Sequence, residues 1–189
     1  MVSKEIYVSQ VLSFSGHRFP DIEKYNTLDF LSFLKKKLYE FFLKRDDKYK
    51  LENIVGAVCG GQIGFDLAAQ QFAIENKIPL HICLPYNYSL FTQRWNSDLL
   101  KDILLKHIEC ASHITVVDCQ PYYRMKYDLP VGTYHVSKLQ WRNQYMIDNS
   151  DATLLYLNPS VNKGGTYNAL QYCKKVGKPH QNMWSEYKS

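Results

Sequence analysis

The apolar positions of this chain change period repeatedly, from short unbroken runs to a helical spacing and back. VLSFSG (11–16) is an apolar run closed by glycine, which predicts a buried strand. In TLDFLSFLKKKLYEFFLKR (27–45), Leu31, Leu34, Leu38, Phe41 and Phe42 recur at helical spacing, with Thr27 placed as N-cap and Asp29 in the first turn. The alternation continues with strand NIVGAVCGG (53–61), helix IGFDLAAQQFAIENK (63–77), strand PLHICLPY (79–86), helix FTQRWNSDLLKDILLKHIE (91–109) and strand HITVVDC (113–119). An irregular loop follows, then helix SKLQWRNQYMIDNS (137–150), strand DATLLYLNP (151–159), helix GTYNALQYCKKVG (165–177) and a short edge strand KPHQNMW (178–184). Near-continuous apolar strands separated by helices predict an α/β fold, a Rossmann-like three-layer sandwich around a mostly parallel central sheet. No internal repeat or low-complexity tract interrupts it, so a single domain over 1–189 is expected.

Composition narrows the function classes. At 189 residues, 46% hydrophobic and 22% charged, the chain is long enough for one substantial core. No run of about 18 apolar residues occurs, and MVSKEIYVSQVLSF lacks the pattern of a secretory signal. A soluble, cytoplasmic protein with no membrane partner is expected. The cysteines, Cys59, Cys83, Cys110, Cys119 and Cys173, are odd in number and form no C-x-x-C, which speaks for reduced thiols. Cys110, His113 and Cys119 are close in sequence, but a closed metal site needs a fourth ligand, so neither a metal nor another cofactor is expected. The formal charge of +5 is concentrated around the lysines at 35 to 37, which read as a solvated helix face, with a nucleic-acid patch as the alternative.

In such sheets ligands bind beyond the carboxyl ends of the strands, near the point where strand order reverses. The loops at those ends therefore form one candidate site. SGHRFPD offers Ser15, Gly16, His17 and Arg18; His17 is either a donor to phosphate or an ordinary loop histidine, and the Arg18 guanidinium suits phosphate unless it serves a surface ion pair. In GGQIGFD, the glycines Gly60, Gly61 and Gly64 allow close approach, and Gln62 stands at the opening of a helix whose amides favour anions. Asp66, in that helix's first turns, either accepts from ribose hydroxyls or simply favours the helix terminus. NPSVNKGGT repeats the arrangement at Gly164, Gly165 and Thr166, so two helix N-termini are expected to hold phosphate.

Two further segments bear on the site. On the helix WRNQYMIDNSD (141–151), Arg142 and Asn143 start near the crevice, Met146 and Ile147 read as core, and Asp151 reads as closing the following turn. The loop 119–137 interleaves Tyr122, Tyr123, Tyr127 and Tyr134 with Arg124, Lys126 and His135, either as a lid that stacks on a base or as packing on the domain.

Taken in order, SGHR, CGGQIGFDLAA, LPY with a downstream RW (Pro85, Arg94, Trp95), RNQYMIDNSD and a late GGT resemble the YpsA-like branch of the SLOG superfamily, which joins the DNA-processing protein DprA with the LOG phosphoribohydrolases. The resemblance runs from Ser15 to Tyr172. It implies a Rossmann-like fold, a pocket for nucleotides or ADP-ribose-like molecules and, through LOG, a homo-oligomer. The R-K-A-x-M segment of LOG enzymes is similar to residues 142–146 here, and their P-G-G-x-G-T-x-x-E motif to the segment ending in Gly165-Thr166. Matched so, their glutamate falls on Ala169. Hydrolysis of an N-glycosidic bond builds positive charge on the sugar, which a carboxylate stabilises and an alanine does not.

Three readings follow in rank. The first is a sensor or sequestering protein for a nucleotide-derived ligand, with phosphate on the two glycine loops, ribose near Asp66 and the base against the tyrosine loop. The second is a nucleoside 5′-monophosphate N-glycosidase in which Asp66, with Arg142, or Asp148 replaces the missing glutamate. The third, by analogy with DprA, is single-stranded DNA binding.

Overall fold

The computed structural model describes residues 9–17, 27–44, 49–124 and 129–184, without the side chains of Thr27, Lys44 and Arg124. Arg18, Lys126 and Tyr127, and the proposed capping side chain of Thr27, lie outside what is described. Six strands form one sheet: β1 (Gln10–Gly16), β2 (Ile54–Gly60), β3 (Leu80–Leu84), β4 (His113–Val116), β5 (Ala152–Tyr156) and β6 (His180–Asn182). Every neighbouring pair is parallel, in the order β4-β3-β2-β1-β5-β6. The chain thus moves outward from β1 to one edge and returns to place β5 on the other side of β1. Strand order reverses between β1 and β5, and crevices open at such points.

The helices are α1 (Thr27–Lys44), α2 (Phe65–Glu75), α3 (Tyr88–Thr92), α4 (Asp98–Cys110), α5 (Pro121–Arg124), α6 (Val136–Asp148) and α7 (Gly165–Val176). On one side α2 packs on β1 and β2 with α1 and α4 around it; on the other, α6 and α7 pack together and against β1 and β5. The α/β fold expected from the hydrophobic pattern is the one observed. Leu12 and Phe14 of β1 and Leu154 of β5 are completely buried, and the Phe42 and Phe72 rings stack with centroids 5.2 Å apart, joining α1 to α2. No described helix is long and apolar enough to cross a membrane.

Four local expectations need correction. The helix expected over 91–109 is two helices, because Asn87 and Ser97 each cap a separate start: Asn87 Oδ1 accepts from Leu90 N at 2.9 Å and Ser97 Oγ from Leu100 N at 3.4 Å. The strand expected to reach Cys119 ends at Val116 in a 3-10 turn. The helix expected from Ile63 begins at Phe65, after Gly64 at φ 106°, a conformation that a side chain at this position would strain. Asp151, expected to close the α6–β5 turn, instead ties that turn to β1: its Oδ2 accepts from Val11 N at 2.7 Å and its N donates to Val11 O at 2.8 Å.

The loop before α6 is anchored by a buried ion pair. Lys138 and Asp118 have side chains 0% and 1% exposed, and Lys138 Nζ lies 3.0 Å from Asp118 Oδ2. The ammonium also donates to Pro130 O at 2.6 Å and Thr133 O at 2.8 Å, while Gly132 N donates to the same carboxylate at 2.9 Å. A pair this dry contributes little beyond an apolar replacement, but losing one partner strands the other charge. Lys138→Met is therefore expected to lower the unfolding free energy by about 3–5 kcal/mol in urea titration. It should also release residues 129–135 to limited proteolysis under native conditions.

Two histidines make stability fall in acid. Burial pushes His81 down to about 4, helped by neighbouring His113, and burial alone pushes His107 to about 4. Between the ordinary histidine value of about 6.5 and about 4, the unfolded chain takes up protons that the folded chain refuses, so stability drops as pH falls. The urea midpoint should be lower at pH 5 than at pH 7, and His107→Gln should reduce that difference.

Candidate functional site

Gly16 ends β1 beside Tyr156 of β5, at the carboxyl end of the sheet. A crevice of about 770 Å³ opens there. Ser15, Gly16 and His17 line it from β1; Gln62 and Asp66 from the β2–α2 turn; Arg142 and Asn143 from α6; Gly164, Gly165 and Thr166 from the start of α7. Ten of the residues that the sequence singled out are thus brought around one cavity from four separate segments.

The floor is an ion pair. Arg142 Nη1 lies 3.1 Å from Asp66 Oδ2, with the two residues 6% and 3% exposed. The same oxygen accepts from Gln62 N at 3.1 Å. Gly60 lies directly beneath, where a β-carbon would overlap both Arg142 Nη1 and Asp66 Oδ2, so this glycine is required for the pair to form. Arg142 Nε is buried and has no hydrogen-bond partner among the described residues. An unpaired guanidinium N–H in a crevice is costly unless something completes it.

The two helix N-termini differ. At α2, Phe65 N donates to His17 O at 3.4 Å and the turn amide of Gln62 to Asp66, so protein groups occupy donors that the sequence reading had offered to phosphate. The carboxylate of Asp66 would also repel an anion there. In both helices the fourth amide is the first to bond back, Ala68 N to Gly64 O at 3.2 Å and Asn168 N to Gly164 O at 2.9 Å, so the helices differ only in the acceptor that His17 gives the first amide of α2. Gly164 adopts φ 97° to start α7, and Asn143 Nδ2 ties it to α6 by donating to Gly165 O at 3.1 Å. The start of α7 lines the crevice through Gly164, Gly165 and Thr166, and the start of α2 through Asp66.

His17 is held as the neutral ring. Asn158 N donates to its Nε2 at 2.8 Å, which requires a lone pair there, and burial lowers its pKa. Only Nδ1 is left to donate. Other singled-out residues stand away from the lining: Gly61 faces Leu84, Phe91 and Leu104; Pro85 O accepts from Asp118 N; Trp95 packs edge-on against Phe91 at 5.5 Å. Arg94 lies over the Tyr134 ring at 4.4 Å. None of the described tyrosines of the 119–137 loop lines the crevice, and Tyr123 instead donates to Asp148 at 2.7 Å.

Sequence reasoning missed the aromatic wall of Tyr156 and Trp184, and also Phe30, Leu139 and Lys163. Lys163 stood inside the quoted glycine loop and was readable; Trp184, at the end of the edge strand, gave no local signal. Ala169, the position matched to the LOG glutamate, is 1% exposed among Ile147, Leu155 and Cys173, with no room for a carboxylate. Asp148 takes hydroxyls from Tyr123 and Tyr172 and does not reach the crevice. Asp66 is the one carboxylate among the described lining residues. Among the described residues no group of three or more His, Cys, Asp and Glu could hold a metal.

No protein-family model matches the chain. Among solved structures, the DNA processing protein A of Helicobacter pylori, described for its single-stranded DNA binding mode, is similar with a TM-score of 0.50 and 15% identity, over 92% of this chain and 64% of that one. At that identity the likeness is one of fold. This chain spans less than two thirds of that structure's length. The uncharacterized SPbeta prophage-derived protein YoqJ of Bacillus subtilis (strain 168) is 30% identical over 158 residues, 80% of this chain and 85% of YoqJ. With that identity over that length, the chain belongs to the family of YoqJ.

Proposed function

We propose that the crevice binds a phosphorylated, nucleotide-derived ligand and that the protein acts as a sensor or sequestering module, within the YpsA-like branch of the superfamily and as a single domain. The observation that carries this reading is Arg142: a buried guanidinium with one N–H unsatisfied, lining the same cavity as the open N-terminus of α7. A phosphate there accepts from the Gly165 and Thr166 amides and from Arg142, in the field of the helix dipole. Asp66, fixed by Arg142, faces the ribose hydroxyls as acceptor.

Binding is favoured over cleavage by the charge inventory of the crevice. A glycosidase needs a carboxylate free to stabilise an oxocarbenium-like sugar. Asp66 already serves Arg142 and the Gln62 amide through one oxygen, and neither Ala169 nor Asp148 supplies another. Hydrolysis through Asp66 is the competing outcome.

A second reading, single-stranded DNA binding, is favoured by the fold likeness to the Helicobacter pylori protein and by Lys163 and Arg142 at the crevice. Phosphate-led binding of that kind weakens steeply with salt.

The deciding experiment incubates the protein with nucleoside monophosphates, NAD, ADP-ribose and cyclic dinucleotides, then analyses retained and released molecules by mass spectrometry. An intact retained ligand is expected. Free base and sugar phosphate in the filtrate would convert the reading to hydrolysis, and loss of that turnover in Asp66→Asn would identify the acid. Arg142→Lys is expected to weaken the retained ligand about 10- to 100-fold by titration calorimetry, the size of a lost charge-assisted bond. Oligonucleotide retention with a steep salt slope, in the absence of tight mononucleotide binding, would instead select the DNA reading.

A further inference from the structure

The crevice has an aromatic wall that belongs to a longer stack. Phe65, buried under α2, stacks on Tyr156 with centroids 5.4 Å apart and planes 14° apart. Tyr156 in turn meets the indole of Trp184 at 4.9 Å with the planes tilted by 48°, and the His17 ring meets that indole edge-on at 5.8 Å. The series thus runs from the core to the cavity, and its last ring, half-buried, lines the crevice. Trp184 is also held from behind. Asn182 Oδ1 accepts from Trp184 N at 3.3 Å and Leu157 N at 3.1 Å, Asn182 Nδ2 donates to Leu157 O at 2.8 Å, and Met183 N donates to Leu155 O at 2.7 Å. An indole whose backbone is fixed in this way, lining the same cavity as Arg142 and the start of α7, can offer its ring to a planar group of a ligand.

We infer that Trp184 is the stacking platform for the planar ring of the ligand, and that the crevice thereby selects phosphorylated molecules carrying an aromatic heterocycle over bare sugar phosphates. This rests on the reading of the crevice as a nucleotide-phosphate site. It moves the base from the tyrosine loop, where the sequence had put it, to the far end of the edge strand. Stacking on an indole face tolerates every base, because each has a π-face, so this wall discriminates ring from no ring rather than one base from another.

The test compares AMP with ribose 5-phosphate, which shares its phosphate and sugar and lacks the ring. In the wild type, AMP is expected to bind about 5- to 150-fold more tightly, the equivalent of about 1–3 kcal/mol per stacked base. Trp184→Leu should bring AMP to the ribose 5-phosphate level while leaving ribose 5-phosphate unchanged, and Trp184→Phe should restore part of the preference. Trp95 and Trp141 are buried in the core, so AMP should change the tryptophan emission of the wild type and not that of Trp184→Phe. This second readout decides the matter even if Trp184→Leu fails to fold. Equal affinities for the two probes in the wild type, or a ratio unchanged in Trp184→Leu, overturn the platform while the phosphate reading stands. If neither probe binds, the phosphate reading fails and the platform with it.

Discussion

The ion pair between Asp66 and Arg142 is the constraint on which the site depends. It joins the first turn of α2, on one face of the sheet, to the middle of α6, on the other, over the carboxyl end of β2. Both groups are buried, and in so dry a setting neither charge is tolerable without the other. That requirement explains Gly60, whose missing side chain leaves the space the pair fills. It also explains the chemistry that the floor retains: a carboxylate already engaged twice is a poor acid or nucleophile but a well-fixed acceptor.

From this floor the roles of the two helix starts separate. At α2 the first helical amide is taken by His17 O, and Asp66 is turned onto Arg142. At α7 the first helical residues, Gly165 and Thr166, line the same crevice as Arg142. The same local motif, glycines before a helix, therefore does different work according to what the neighbouring strand and helix place in front of it. Likewise the Lys138–Asp118 pair decides that the segment before α6 lies fastened to the protein instead of free as a lid.

The position where a hydrolase would carry its glutamate is packed between α6, β5 and α7, so the difference from the LOG pattern is a matter of core volume as well as of chemistry.

What the sequence determined by itself follows from local rules. Short unbroken apolar runs placed the strands and the 3.6-residue period the main helices, and the alternation of the two types led to a parallel sheet with its crevice expected at the strand C-termini. Ser15, His17, Asp66 and Thr166 were legible for the same reason: they stand at a strand end, in a loop or at a helix start on that side, whereas Arg142, in the middle of α6, was legible through the helix that carries it toward the crevice. Tertiary structure alone decided the rest. Which carboxylate meets Arg142, which helix start stays open, and that Trp184 comes back beside Tyr156 after some 28 residues are long-range pairings that no window of sequence contains. The break between Thr92 and Asp98 lay within local reach, in the capping side chains of Asn87 and Ser97, but an unbroken helical period concealed it.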